Sequence, residues 1–176
     1  MSEFDIQNTT HRFSNVAEEP CVVLAPIEGF KDQPLVTLEE AIQPLSGIVP
    51  RITTYAFVAK RRALNPVDGL TIDESASIAL YTMEWEPYTE SLYYILNATL
   101  RSEDRRKLKP WFLYLKLIFT ALFHLPSIET TVYRGVNFII DHEDKKYKVG
   151  ETVFWWGFSS CSKIRDISER DYFLGK

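Results

Sequence analysis

Two stretches carry residue types suited to gripping a phosphate-bearing ligand. The first, Thr130-Thr131-Val132-Tyr133-Arg134-Gly135-Val136, sets a guanidinium inside an apolar run. The second, Thr152-Val153-Phe154-Trp155-Trp156-Gly157-Phe158-Ser159-Ser160-Cys161-Ser162, ends in small hydroxyl residues. A guanidinium is costly to bury without an anion beside it, and its planar fork matches phosphate oxygens. Gly135 lets a ligand approach the backbone closely. Ser159, Ser160 and Ser162 set hydrogen-bonding groups at the lip of an apolar wall made by Trp155, Trp156 and Phe158. β-branched and aromatic residues dominate both runs, and a polar excursion, Asp141-His142-Glu143-Asp144-Lys145-Lys146, with a turn around Gly150 separates them. The pattern predicts two strands. From residue types alone, Arg134 reads equally as an edge or ion-paired arginine, and Ser-Ser-Cys-Ser as a turn.

Tyr133-Arg134-Gly135 followed by Gly157-Phe158-Ser159-Ser160-Cys161-Ser162 resembles the first two of three motifs in the mono-ADP-ribosyltransferases of the Arg-Ser-Glu class. In that family an aromatic-Arg-Gly ends one strand, and a Phe-x-Ser-Thr-Ser motif follows. With Phe158 in register, Ser160 is the motif serine, Cys161 takes the threonine position, and Ser162 is the last serine. Upstream, Gly69-Leu70-Thr71-Ile72-Asp73-Glu74, Tyr81-Thr82, Leu92-Tyr93 and Asn97 look like the helical lobe that precedes the arginine strand in these enzymes. The resemblance runs from about residue 70 to about residue 174, and its specificity lies in the order and spacing of the motifs.

The resemblance implies an enzyme that breaks the nicotinamide–ribose bond of NAD and passes ADP-ribose to a protein side chain, often arginine. NAD would be a substrate, with no metal. Such a reaction passes through an oxocarbenium-like transition state, so it needs a grip on the diphosphate, a slot for the departing ring and a carboxylate near the developing charge. By the resemblance Arg134 holds the diphosphate, backbone groups of Gly135 the nicotinamide amide, and Ser160 the ribose. Ser162 supports the strand, while Tyr133, Phe158 and Ser159 complete the dinucleotide contacts. The third motif, a Glu-x-Glu several strands beyond the serines, has no counterpart: sixteen residues follow Ser160, and Glu169-Arg170-Asp171 is too near in the chain to return on a separate strand. A chain cut short before the catalytic glutamate is the expectation, with little transferase activity from residues 1–176 alone.

The positioning elements are helical by pattern. Residues 1–20 are polar and irregular, the composition of a mobile tail. Cys21-Val22-Val23-Leu24-Ala25-Pro26 suits an extended segment. Thr37 with Glu40, and Thr71 with Glu74, form capping boxes that open helices. A helix over 53–62 ends in Lys60-Arg61-Arg62, cations suited to a helix C-terminus, although they also suit an acidic partner. In the helix after Thr71, Ile78, Tyr81 and Thr82 fall on one face, with Ala79 and Leu80 beside them, so the helix can pack on a core. Pro87 is placed to open the next helix, where Leu92, Ile95, Leu96 and Leu100 recur at helical spacing around Asn97. Asn97 is expected to bond backbone. Ser102-Glu103-Asp104 caps a segment broken or restarted at Pro110. From Trp111 to Leu125 an apolar helix carries one polar stripe, Lys116, Thr120 and His124, and is too short to cross a bilayer.

Composition bounds the rest. With 176 residues, 45% of them hydrophobic, the chain has material for one core. A net charge of −4 with mixed signs gives no nucleic-acid footprint. Two cysteines, Cys21 and Cys161, and three scattered histidines make neither a disulfide framework nor a metal spacing. A reducing, cytoplasmic location is the expectation, secreted relatives of the family notwithstanding. The sequence therefore reads as α+β: a helical lobe over about 36–125, then the first strands of an NAD-binding β-core over about 128–176. Two alternatives stay open beside the transferase: an NAD-holding module without turnover, and a helical protein-interaction module.

Overall fold

The computed structural model describes residues 20, 22–133, 150 and 152–164. Ala25–Ile128 forms one compact unit, and the described residues on either side of it belong to a second. All the described helices lie in the first unit: α1 (Leu38–Ile42), α2 (Ile52–Arg62), α3 (Ile72–Thr82), α4 (Leu92–Arg101) and α5 (Phe112–His124). Single 3-10 segments at Gln43–Leu45, Tyr88–Glu90 and Arg105–Trp111 connect them.

Local chemistry starts these helices. Thr37 Oγ1 accepts from the Glu40 amide at 3.3 Å, while the Glu40 carboxylate accepts from the Thr37 amide at 3.0 Å. The same reciprocal pair opens α3, with Thr71 and Glu74 at 3.2 and 2.8 Å. Each box satisfies two amides that the first turn of a helix leaves without an intrahelical acceptor. Arg51 precedes α2 in a left-handed conformation and caps nothing; its guanidinium instead bonds the Glu86 carbonyl and lies 3.3 Å from the Glu90 carboxylate. Ser91 rather than Pro87 caps α4, and Pro87 opens the short 3-10 turn before it. Asp104 caps the Arg105–Trp111 segment, which contains Pro110.

Small residues set the packing distances. α2 turns Ala56, Ala59 and Ile52 inward, and α3 turns Ala76, Ser77 and Leu80 inward, so these two helices pack together along their length. α3 then meets α5, which buries Tyr114, Leu115, Leu117, Ile118 and Ala121 and also covers α1. Of the expected face of α3 and its flank, Leu80 is buried, Ile78, Ala79 and Tyr81 are half-buried and Thr82 is exposed. Each fully buried Leu or Ile contributes about 1.5–3 kcal/mol.

Four polar contacts fix how the helices meet. Asp73 Oδ1 accepts from the Leu38 amide at 2.8 Å and meets Lys60 Nζ at 3.0 Å; that ammonium is also 2.6 Å from Glu39. Burial alone would lower the Lys60 ammonium, but its hydrogen bonds to Glu39 and Asp73 outweigh this and hold it above the ordinary lysine value. In the core, the Tyr114 hydroxyl donates to the Ser77 carbonyl at 2.8 Å.

The α+β expectation is overturned. Among the described residues there is no β-strand, and the structure is helical. Tyr133 and Ser162 form an isolated antiparallel bridge, and residues 152–161 take part in no ladder. β-rich composition favours extended backbone, but a strand also needs a run of hydrogen bonds to a neighbour. Among the described residues that pairing is limited to Tyr133 and Ser162.

Candidate functional site

Tyr133 N–H donates to the Ser162 carbonyl at 2.7 Å, and Ser162 N–H donates to the Tyr133 carbonyl at 2.8 Å. The two residues thus exchange both bonds, as opposed residues in a hydrogen-bonded antiparallel pair do. One residue from each of the two expected motifs is brought together. Arg134 and Gly135, next in the chain after Tyr133, lie outside the described residues, as does Asp141–Lys146.

Around the bridge, Tyr133, Phe158, Ser160 and Ser162 are half-buried, while Ser159 and Cys161 are exposed. The Ser162 hydroxyl accepts from the Ile164 amide at 3.0 Å, which turns the chain just past the bridge. Cys161 S–H donates to the Ser159 carbonyl at 3.7 Å, a second local bond. The turn reading of Ser-Ser-Cys-Ser therefore describes two of its members, and the Ser160 hydroxyl bonds no other described residue. Phe154 and Trp156 stack with ring centroids 5.9 Å apart, and Phe154 and Trp155 each keep about half their surface open. Exposed flat apolar rings of this kind can stack on a planar base or ring.

The helical unit settles the roles of several other singled-out residues. Asn97 is buried and donates to the Tyr81 hydroxyl at 2.9 Å. The stripe on α5 is fully engaged: Lys116 Nζ donates to the Lys31 carbonyl at 2.8 Å, Thr120 to the Lys116 carbonyl at 2.7 Å, and His124 Nδ1 lies 3.1 Å from Glu74 Oε1. The last contact is invisible to sequence patterns, because Glu74 is already explained by its capping box. Burial pushes the Tyr114 hydroxyl well above the ordinary tyrosine value, with a smaller push from Tyr81. Among the described residues no three His, Cys, Asp or Glu side chains gather as a metal site, and no helix is long and apolar enough to cross a membrane.

No protein-family model matches the chain, and no curated protein or solved structure is significantly similar to it.

Proposed function

We propose that the protein binds NAD around the Tyr133–Ser162 pair and transfers ADP-ribose to a protein side chain, arginine being the acceptor. The single observation that supports this reading is the doubly hydrogen-bonded pair itself. It joins Tyr133, the residue immediately before Arg134, to Ser162, the residue two after Ser160, so one residue of each motif is paired with one of the other.

In this reading the Arg134 guanidinium binds the diphosphate bidentately, Gly135 presents backbone groups to the carboxamide, and the Ser160 hydroxyl orients the ribose. Tyr133, Phe158, Ser159 and Ser162 shape the surround. The bond between ribose C1′ and the ring nitrogen breaks, its electron pair leaving with neutral nicotinamide. An arginine nitrogen of the target then bonds C1′ and gives up a proton. The carboxylate that the oxocarbenium-like state calls for is not assigned. No metal takes part in the proposed reaction, and the partners are NAD and the target protein rather than nucleic acid. A reducing compartment belongs to the same proposal and rests on Cys21 and Cys161 being the only cysteines.

Calorimetric titration of NAD into the protein tests the reading. Saturable heat is expected, weakened by about tenfold or more in Arg134→Ala and in Ser160→Ala, with Arg134→Lys intermediate. Absence of saturable heat with the unaltered chain overturns it. Nicotinamide release in the presence of agmatine is expected to be slight from residues 1–176, for which no catalytic carboxylate is assigned, and NAD binding with no release at all would favour a module that holds NAD.

A further inference from the structure

α5 carries a second row of large side chains besides those it turns to the core. Phe112, Lys116, Phe119 and Phe123 recur at spacings of four, three and four, which sets them in one line along the helix. None of the four is fully buried, and Phe123 is 82% exposed. The Phe119 and Phe123 rings are neighbours, with centroids 6.4 Å apart, so the row continues toward the end of the helix.

Residues 25–36 cross this row without forming a helix or a strand. Consecutive residues at the middle of the segment make the crossing. Gly29 passes so close to Phe112 that a Cβ there would lie 3.3 Å from the ring, and its φ of +90° is one that a side chain disfavours. Phe30 sets its ring beside Phe119, with centroids 5.4 Å apart. The Lys31 carbonyl accepts from Lys116 Nζ at 2.8 Å. A local turn keeps these residues in shape: the Gln33 amide donates to the Phe30 carbonyl at 3.3 Å, and the Gln33 side chain donates to the Gly29 carbonyl at 3.2 Å.

The grip is confined to that crossing. On one side of it, Ala25, Pro26, Ile27 and Glu28 help to line an open cavity of about 320 Å³ with Lys109 and Phe112. On the other, Leu35 and Val36 help to line one of about 350 Å³ with Thr71 and Leu117. No residue from 25 to 36 is buried, whereas Leu38, just beyond, is wholly so. Among the described residues, the bond from Lys116 is the one hydrogen bond that ties the segment to a helix. A segment with little buried apolar surface and few hydrogen bonds opens at low free energy, well before the fold as a whole. We propose that residues 25–36 form a strap that lifts from α5 while the helices stay folded. Closed, it is an autoinhibitory cover over the aromatic row; open, it bares Phe112 and Phe119 from its own contacts and joins them to the exposed Phe123. Strap and row both belong to the unit Ala25–Ile128, so the proposal stands whether or not the NAD assignment does.

Trypsin cleavage of the full chain under native conditions, with each cut site identified by mass spectrometry, tests the strap. Where opening is fast relative to cleavage, the rate after Lys31 reports how much of the open form is populated. Cleavage after Lys31 is expected to outpace cleavage within α2, after Lys60, Arg61 or Arg62, which requires a helix to unfold. The chain cut at Lys31 should keep its far-UV helical signal. Gly29→Ala should speed the cut about tenfold, because the added methyl meets Phe112 in a backbone conformation that favours glycine. Lys116→Met removes the donor to the Lys31 carbonyl without altering the strap itself, and should speed the cut about threefold or more. If Lys31 is cut no faster than α2, or if either variant is cut only as fast as the unaltered chain, the proposal is overturned.

Discussion

His124 Nδ1 lies 3.1 Å from Glu74 Oε1, and the other oxygen of the same carboxylate closes the capping box at the start of α3. Glu74 is buried, its side chain 2% exposed, whereas Glu40 in the matching box of α1 stands in solvent. Identical motifs should therefore differ in worth. Glu74→Ala is expected to lose about 2–3 kcal/mol in urea unfolding, combining a lost cap with a lost buried hydrogen-bond partner. Glu40→Ala should lose distinctly less. Equal losses would mean that burial of Glu74 adds nothing to its cap.

Tyr114 gives the fold an alkaline limit. Its hydroxyl is buried and its proton is held more tightly in the folded state than in the unfolded one. Its contribution is thus complete below the unfolded tyrosine value of about 10 and is lost as pH rises beyond it. Tyr114→Phe should lower neutral stability by about 1–2 kcal/mol, because the Ser77 carbonyl loses its hydroxyl donor. The same substitution should flatten the decline in stability between about pH 10 and 11. Denaturant midpoints across that range for both proteins check the sign.

Lys60 and Asp73 should behave as a coupled pair. Lys60→Met removes a partly exposed ammonium and is expected to cost about 1 kcal/mol. Asp73→Ala also leaves the Leu38 amide without its acceptor, so about 2 kcal/mol is expected. The double substitution should cost less than the sum, with a coupling of about 0.5 kcal/mol or more in a double-mutant cycle.

Ser162→Pro removes the N–H that donates to the Tyr133 carbonyl. If the bridge organises the dinucleotide site, NAD affinity should fall by about tenfold. The far-UV helical signal should persist, since all the described helices lie within Ala25–Ile128. Unchanged NAD affinity would detach the bridge from ligand binding.

What was legible in the sequence was what short-range chemistry decides. Thr37 with Glu40 and Thr71 with Glu74 mark their helices because every atom involved lies within four residues. The runs 53–62, 92–100 and 111–125 likewise announce α2, α4 and α5 through their spacing. The packed face of α3 is legible only in part: Leu80 lies beside the apolar bulk of Ile78 and Tyr81, whereas Ala76 and Ser77 are small and carry no bulk to mark them. Contacts between distant segments, such as Asn97 with Tyr81, leave no local trace. The strand reading failed for a related reason: Val132 or Phe154 shows a taste for extended backbone, but no residue type names the neighbour that would complete a ladder. Of the candidate site, the structure joins Tyr133 to Ser162 and leaves Arg134 and Gly135 outside the described residues.

Asp73 rides on α3, yet the same oxygen holds a main-chain amide of α1 and an ammonium of α2. Sliding α3 by a single residue would swing that oxygen about 100° around the helix axis and break both attachments together. Insertions and deletions between Arg62 and Asp73 should therefore be tolerated only when absorbed before Thr71, in the turn around Asp68 and Gly69, where two consecutive positive φ angles already mark a reversal of the chain.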